Sequence, residues 1–157
     1  MASALGIFQQ QIAPLLAEME ASANAHDTDR HLAAFSRDSA LIFIINGEII
    51  RGWDALRERQ RQWWNDGKAT GLYTYLGEPT CEVFGGDLGL TTHLIAARAS
   101  LPDGQVRERQ LAFTAPWSRR PEGWRIICAH ESSTKWPRPP SLRNAKRRQT
   151  ERRSTRA

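Results

Sequence analysis

The sequence predicts an α+β domain in which three helices pack against a strongly curved antiparallel sheet of about six strands. Three observations carry that reading. Apolar residues recur at helical spacing near the N-terminus. Runs rich in β-branched and aromatic residues recur from Ala40 to Ser133. Most of those runs are joined by Asn-Gly, Gly-Gly-Asp, Asp-Gly or Pro-Glu-Gly, and connections that tight join antiparallel neighbours.

Phe8, Ile12, Leu15, Leu16, Met19 and Ala23 share one helical face, so the chain opens with an amphipathic helix. Pro14 lies inside the pattern and predicts either a kink or a helix whose first turn begins there. Asp27 or Thr28 can cap a short second helix bearing Leu32 and Phe35. The runs Ala40 to Ile45 and Glu48 to Arg51 flank Asn46-Gly47, a hairpin signal because a type I′ turn needs two positive φ angles. A third helix is expected from Gly52 to about Asp66, ended by Gly67, with Leu56, Trp63 and Trp64 toward the core. Trp63 and Trp64 are adjacent, so a helix cannot aim both at one place. Strands then run from Tyr73 to Phe84, with a bulge or edge at Pro79, from Leu88 to Leu101, from Val106 to Ser118 and from Trp124 to Ser133.

The composition, 40% hydrophobic and 25% charged, is that of a globular protein, and the length suffices for one core. The net charge of +5 is unevenly spread: eight of the 22 basic residues and one of the 17 acidic residues follow Trp136. The domain, residues 1–136, is therefore slightly acidic, and residues 137–157 form a basic tail that opens with Pro137, Pro139 and Pro140 and is expected to be disordered. Nucleic acid could be engaged only through that tail. Six tryptophans exceed what a core of this size needs and suggest a cavity. Cys81 and Cys128 form no CxxC pair, so neither a disulfide nor a zinc site is expected and a reducing, cytoplasmic compartment is the default. No signal peptide or run of about 18 apolar residues is present, so no membrane partner is expected. No nucleotide-binding or hydrolase motif occurs, so no cofactor is implied.

Five phrases occur in a telling order: Asn24-Ala-His-Asp27, Phe35-Ser-Arg-Asp-Ser-Ala40, Asn46-Gly-Glu-Ile-Ile-Arg-Gly52, Asp54-Ala-Leu-Arg57 and Trp124-Arg-Ile-Ile-Cys-Ala-His-Glu-Ser-Ser133. Together they resemble the SnoaL-like group of the nuclear-transport-factor-2-like superfamily over about residues 5–134. The resemblance implies a cone, a bent sheet around helices with a small-molecule pocket at its open end, and a homodimer. Relatives include cyclases, ketosteroid isomerases, dehydratases and a non-catalytic kinase association domain. Ketosteroid isomerases carry a helix Tyr, an Asp base on the first strand and an acid on the fifth. By resemblance these positions fall on Met19, Phe43 and Phe113, which cannot move a proton, so that mechanism is not supported and a greasier pocket is expected.

Strand periodicity gives an independent route to the site. A two-residue turn at Asp103-Gly104 would pair Leu94 with Phe113, Ala96 with Leu111 and Arg98 with Arg109 on one face. On the last strand Cys128 and His130 share a face with Trp124 and Ile126, and family register makes it the inner one. The expected inner wall holds Phe113, Trp117, Cys128 and His130, with Arg98 and Arg109 nearer the hairpin tip. His130 is then the candidate acid or base, the alternative being a structural histidine. Arg98 and Arg109 form a candidate anion clamp, the alternative being two solvated side chains. Met19, Phe43 and Trp63 complete the substrate-binding set. The other parity, His93, Ile95, Ala97 and Ala99, would form the outer, dimerising face. The stretch His26 to His31 offers four possible metal ligands without a distant partner, so no metal is expected.

The expected function is a small-molecule-pocket protein: a cofactor-free acid–base enzyme of cyclase, isomerase or dehydratase type acting on a small hydrophobic, in one reading anionic, substrate. A non-catalytic ligand-binding or oligomerisation module is the alternative.

Overall fold

The computed structural model describes residues 2–101 and 103–134; the tail expected over 137–157 lies outside the described residues. Helix α1 spans Ala4–Asn24 and is capped by the Ser3 hydroxyl, which accepts from the Gly6 N–H at 3.1 Å. It buries Phe8, Ile12, Leu16, Met19 and Ala23. Pro14 sits within it on the exposed side, where water can take the bond that its missing N–H would have given Gln10. Asp27 caps α2 (Thr28–His31) by accepting from the Arg30 N–H at 3.1 Å, and a 3-10 turn continues to Ala34.

The strands are β1 (Ile42–Ile45), β2 (Glu48–Arg51), β3 (Leu72–Phe84), β4 (Leu88–Ser100), β5 (Val106–Arg120), β6 (Gly123–Ile126) and β7 (Cys128–Ser133), with α3 (Trp53–Trp63) between β2 and β3. Their order is β2-β1-β7-β5-β4-β3, with β6 also on β5. The sheet is mixed, because β1 runs parallel to β7; every other pairing between strands is antiparallel, and Phe35 adds an isolated parallel bridge to Ile126. The long connection through α3, β3 and the following strands is what lets a parallel pair form. At the β1–β2 hairpin Asn46 and Gly47 both take positive φ, +49° and +85°.

β3 is an edge strand, and α1 covers its free backbone groups. The Tyr73 N–H donates to Asn24 Oδ1 at 2.7 Å, Asn24 Nδ2 donates to the Tyr73 carbonyl at 2.8 Å, and the Tyr75 N–H donates to Glu20 Oε1 at 2.9 Å. These bonds protect the edge and hold the C-terminal half of α1 over the sheet. Pro79 lies where the β3–β4 register shifts, between Leu76 and Thr80.

Three local expectations fail, each for an identifiable reason. The β4–β5 connection is longer than two residues: the Leu101 N–H donates to the Gln105 carbonyl at 2.7 Å and the Gly104 N–H to Leu101 at 2.9 Å. The ladder therefore pairs His93 with Phe113, Ile95 with Leu111, Ala97 with Arg109 and Arg98 with Glu108. Thr91, His93, Ile95 and Ala97 are the buried face of β4, whereas Leu94 is 40% exposed on the outer one. The last strand is also broken. Residues 115–116 of β5 face 127–129, and the Ile127 N–H bonds to the Pro116 carbonyl at 3.0 Å. That extra residue is a bulge. It turns Ala129 and Glu131 inward and His130 outward. Finally, α3 stops a turn early, and Asn65, Asp66 and Gly67 take positive φ. Trp64 lies beyond the helix, so it and Trp63 both reach the interior.

Candidate functional site

A cavity of about 320 Å³ lies between the helix layer and the inner sheet face. That volume suits a molecule of two or three fused rings. Phe43 of β1, Trp63 of α3 and Phe113 of β5 form one aromatic wall, with Phe43 at 6.1 Å from Trp63 and 6.5 Å from Phe113 between ring centres. Arg59 stacks at 5.7 Å over the Trp63 ring and binds Glu48 at 2.7 Å, which holds that indole in place. Trp64, Tyr73 and His31 form a second wall. The Trp64 indole N–H donates to the Tyr73 hydroxyl at 3.3 Å, and the His31 ring meets Trp64 edge-on at 4.9 Å. Met19 and Ala23 of α1 close the space above the sheet.

The polar groups are few. Glu131 and Arg109 enter from the sheet, and Asn46 from the β1–β2 turn. Burial pushes the Glu131 carboxyl above the usual carboxylate range, and the charge of Arg109 opposes the shift. Burial likewise raises the Tyr75 phenol, with the charge of Glu20 adding to the effect. On the helix side His31 Nδ1 lies 3.0 Å from the Met19 carbonyl oxygen. A carbonyl can only accept, so Nδ1 carries the proton. Burial lowers the His31 pKa to about 4, against the opposing effect of that hydrogen bond, so the ring is neutral near pH 7. His93, at 5% exposure, is wedged between Tyr75 at 4.5 Å and Phe113 at 5.3 Å, and neither ring nitrogen has a partner. Burial lowers its pKa to about 4.

The structure brings together Met19, Phe43, Trp63, Arg109 and Phe113 of the expected set. Four others lie elsewhere. His130 is exposed on the outer face, because the bulge at Ile127 reverses the parity expected for it. Arg98 is also outside, 3.1 Å from Glu108, because the longer turn shifts the ladder by one residue. The arginine pair expected side by side is therefore split across the sheet. Trp117 is fully buried in the core and donates to Thr91 Oγ1 at 2.9 Å. Cys128 is half-buried, does not line the cavity, and has its thiol pushed up by burial. His93, expected outside, is buried within. Among the described residues no cluster of His, Cys, Asp or Glu could hold a metal ion, and no helix is long and apolar enough to cross a membrane.

Sequence reasoning missed Glu131, His31, Tyr73, Tyr75 and Trp64. The alternation Leu72-Tyr-Thr-Tyr-Leu76 does place both tyrosines on one strand face. Glu131 had no such signal, because its orientation depends on a bulge that WRIICAHESS does not mark.

Comparison with known proteins agrees with this architecture. The SnoaL-like domain model matches residues 12–135. No curated protein matches the chain. Similar solved structures include a nuclear-transport-factor-2-like protein of Salmonella enterica, at 21% identity, a TM-score of 0.71 and coverage of 82% of this chain and 92% of that one. Another, from Shewanella oneidensis and of unknown function, is 20% identical with a TM-score of 0.66 over 78% of this chain and 97% of that one. The association domain of C. elegans CaMKII is 16% identical with a TM-score of 0.68 over 83% and 99%. At these identities the structures show a shared fold and no shared activity. With its bent sheet, its helix layer and a family match over most of its length, the chain belongs to the SnoaL-like domain family.

Proposed function

We propose that the chain is a cofactor-free enzyme that moves protons on a small hydrophobic molecule bearing a carbonyl or carboxylate, with Glu131 as the acid–base group. One observation carries this reading: a carboxyl with a raised pKa lines an aromatic cavity beside a guanidinium. An ordinary carboxylate is a weak base at neutral pH. Raising its pKa strengthens it, and a positioned base contributes roughly 10²–10⁴-fold. Removing a proton next to a carbonyl drives negative charge onto the oxygen, and Arg109 supplies the offsetting positive charge. The aromatic walls exclude water and align a flat substrate.

Solvent deuterium exchange beside the carbonyl of cyclic and aryl ketones tests the reading. The protein should accelerate exchange, and Glu131→Gln should reduce the acceleration by about 10²-fold or more. Equal exchange in both proteins removes Glu131 from the reaction. Ketones that quench tryptophan fluorescence without exchanging protons would favour the non-catalytic ligand-binding reading.

We propose, in addition, a homodimer through the outer sheet face. The residues differ from those expected: Leu72, Leu76, Phe84, Leu88 and Leu94, all at least 40% exposed, share the side of β3 and β4 opposite the cavity. An exposed apolar band of this kind calls for a cover, and light scattering that finds only a 17.8 kDa species at micromolar concentration would refute the dimer.

A further inference from the structure

We propose that His31 is a specificity-determining residue: a fixed, neutral hydrogen-bond acceptor on the helix side of the cavity that selects ligands carrying a hydroxyl group. The proposal rests on the reading of the cavity as the ligand site.

Three observations support it. The Met19 carbonyl, 3.0 Å from Nδ1, fixes the tautomer and leaves the lone pair on Nε2. No protein group donates to Nε2 among the described residues, although the ring lines the cavity. The ring is also held in place, edge-on to Trp64 at 4.9 Å and tilted by 42° against Phe35 at 6.4 Å. A lone pair presented to the cavity by a ring held in place is a selective feature. A ligand hydroxyl satisfies it, and a purely apolar group leaves it unpaired. Burial, which puts the pKa near 4, keeps Nε2 an acceptor through the neutral range.

The polar groups on the two sides then ask for different things. Arg109 on the sheet side donates, so it suits a carbonyl or carboxylate oxygen. His31 on the helix side accepts, so it suits a hydroxyl. With the aromatic walls between them, the cavity fits a flat apolar body with one oxygen acceptor and one hydroxyl donor.

Three probes separate the contributions: a hydroxynaphthoic acid with its two groups at opposite ends, naphthoic acid, and naphthol. Calorimetry should find the hydroxy acid bound about five- to tenfold more tightly than naphthoic acid, the usual difference for one buried hydrogen bond. In His31→Phe that preference should vanish. An independent readout needs no variant. The ¹⁵N resonance of His31 Nε2 should shift on adding the hydroxy acid or naphthol and stay put with naphthoic acid. A wild-type protein indifferent to the hydroxyl, or a preference that survives in His31→Phe, overturns the inference and leaves the reading of Glu131 standing. If none of the three probes binds, the cavity reading fails and the role of His31 fails with it.

Discussion

The inner face of this sheet treats its polar atoms in two ways. Where β5 passes β6, Trp117 donates to Thr91 Oγ1 at 2.9 Å and Trp124 donates to Gln11 Oε1 at 2.9 Å, in a core with Phe8, Ile12 and Ile126 at 1% exposure or less. Phe8 even packs onto Gly89, where an added Cβ would come within 2.4 Å of its ring. Toward the cavity, on the same strands, the matching stops. One pleat beyond Thr91 stands His93 with neither nitrogen partnered, Glu131 with its raised pKa stands two strands along in the same row, and His31 faces them from the helix side. A polar group buried without a partner costs on the order of 1–3 kcal/mol. One end of the face is thus built for stability, and the other leaves buried polar atoms unmatched beside a cavity.

The largest test of this contrast uses two tryptophans. Trp117→Ala removes a fully buried indole and leaves the Thr91 hydroxyl without its donor, so it should cost about 3–5 kcal/mol in urea unfolding. Trp63→Ala removes a half-buried indole from the cavity wall and should cost on the order of 1–2 kcal/mol while abolishing ligand binding. Equal costs at the two positions would mean that the ends do not differ.

The same division governs how much was legible in the sequence. The scaffold announces itself: apolar spacing in α1, the Asn46-Gly47 hairpin and the alternation of β5 are local patterns with one physical reading. The candidate site depends instead on two single-residue adjustments, a longer loop after Leu101 and a bulge at Ile127. Each reverses every side chain beyond it, because the strand period is two. Asp103-Gly104 fits a two-residue turn and a longer one equally well. WRIICAHES reads as one uninterrupted strand. Face assignments for His130, Arg98 and His93 therefore failed together, while Phe113 and Arg109, on the strand between the two adjustments, held their place.

A test of intermediate size uses acid. His31 and His93 have folded pKa values near 4, against an ordinary value of 6.5. The unfolded chain therefore takes up protons first as the pH falls. Their contribution to stability is fully present above about pH 6.5 and is lost on the way down to about pH 4. For the buried His93 the full loss is on the order of 3 kcal/mol. His93→Leu removes that group and its unpartnered nitrogens. It should leave the protein as stable as wild type or more so near neutrality, and flatten the decline between those pH values. A decline as steep as wild type would show that His93 is not the neutral, unpartnered group described.

The smallest expected effect lies with Arg98, and it bears on the register itself. Arg98 and Glu108 are 3.1 Å apart with side chains 61% and 69% exposed, and pairs so exposed contribute about 0–1 kcal/mol. Arg98→Ala should shift the unfolding midpoint by an amount near the limit of measurement. It should also leave the titration of Glu131 untouched, because the sheet stands between them. Arg109→Ala should behave differently. Arg109 is the charge that opposes the burial shift of Glu131, so removing it should drive that pKa further up, a change that carboxyl ¹³C chemical shifts followed against pH resolve directly. If both substitutions move Glu131, or neither does, then the two arginines share a face after all, the loop after Leu101 closes as a two-residue turn, and the division between a donating sheet side and an accepting helix side must be redrawn.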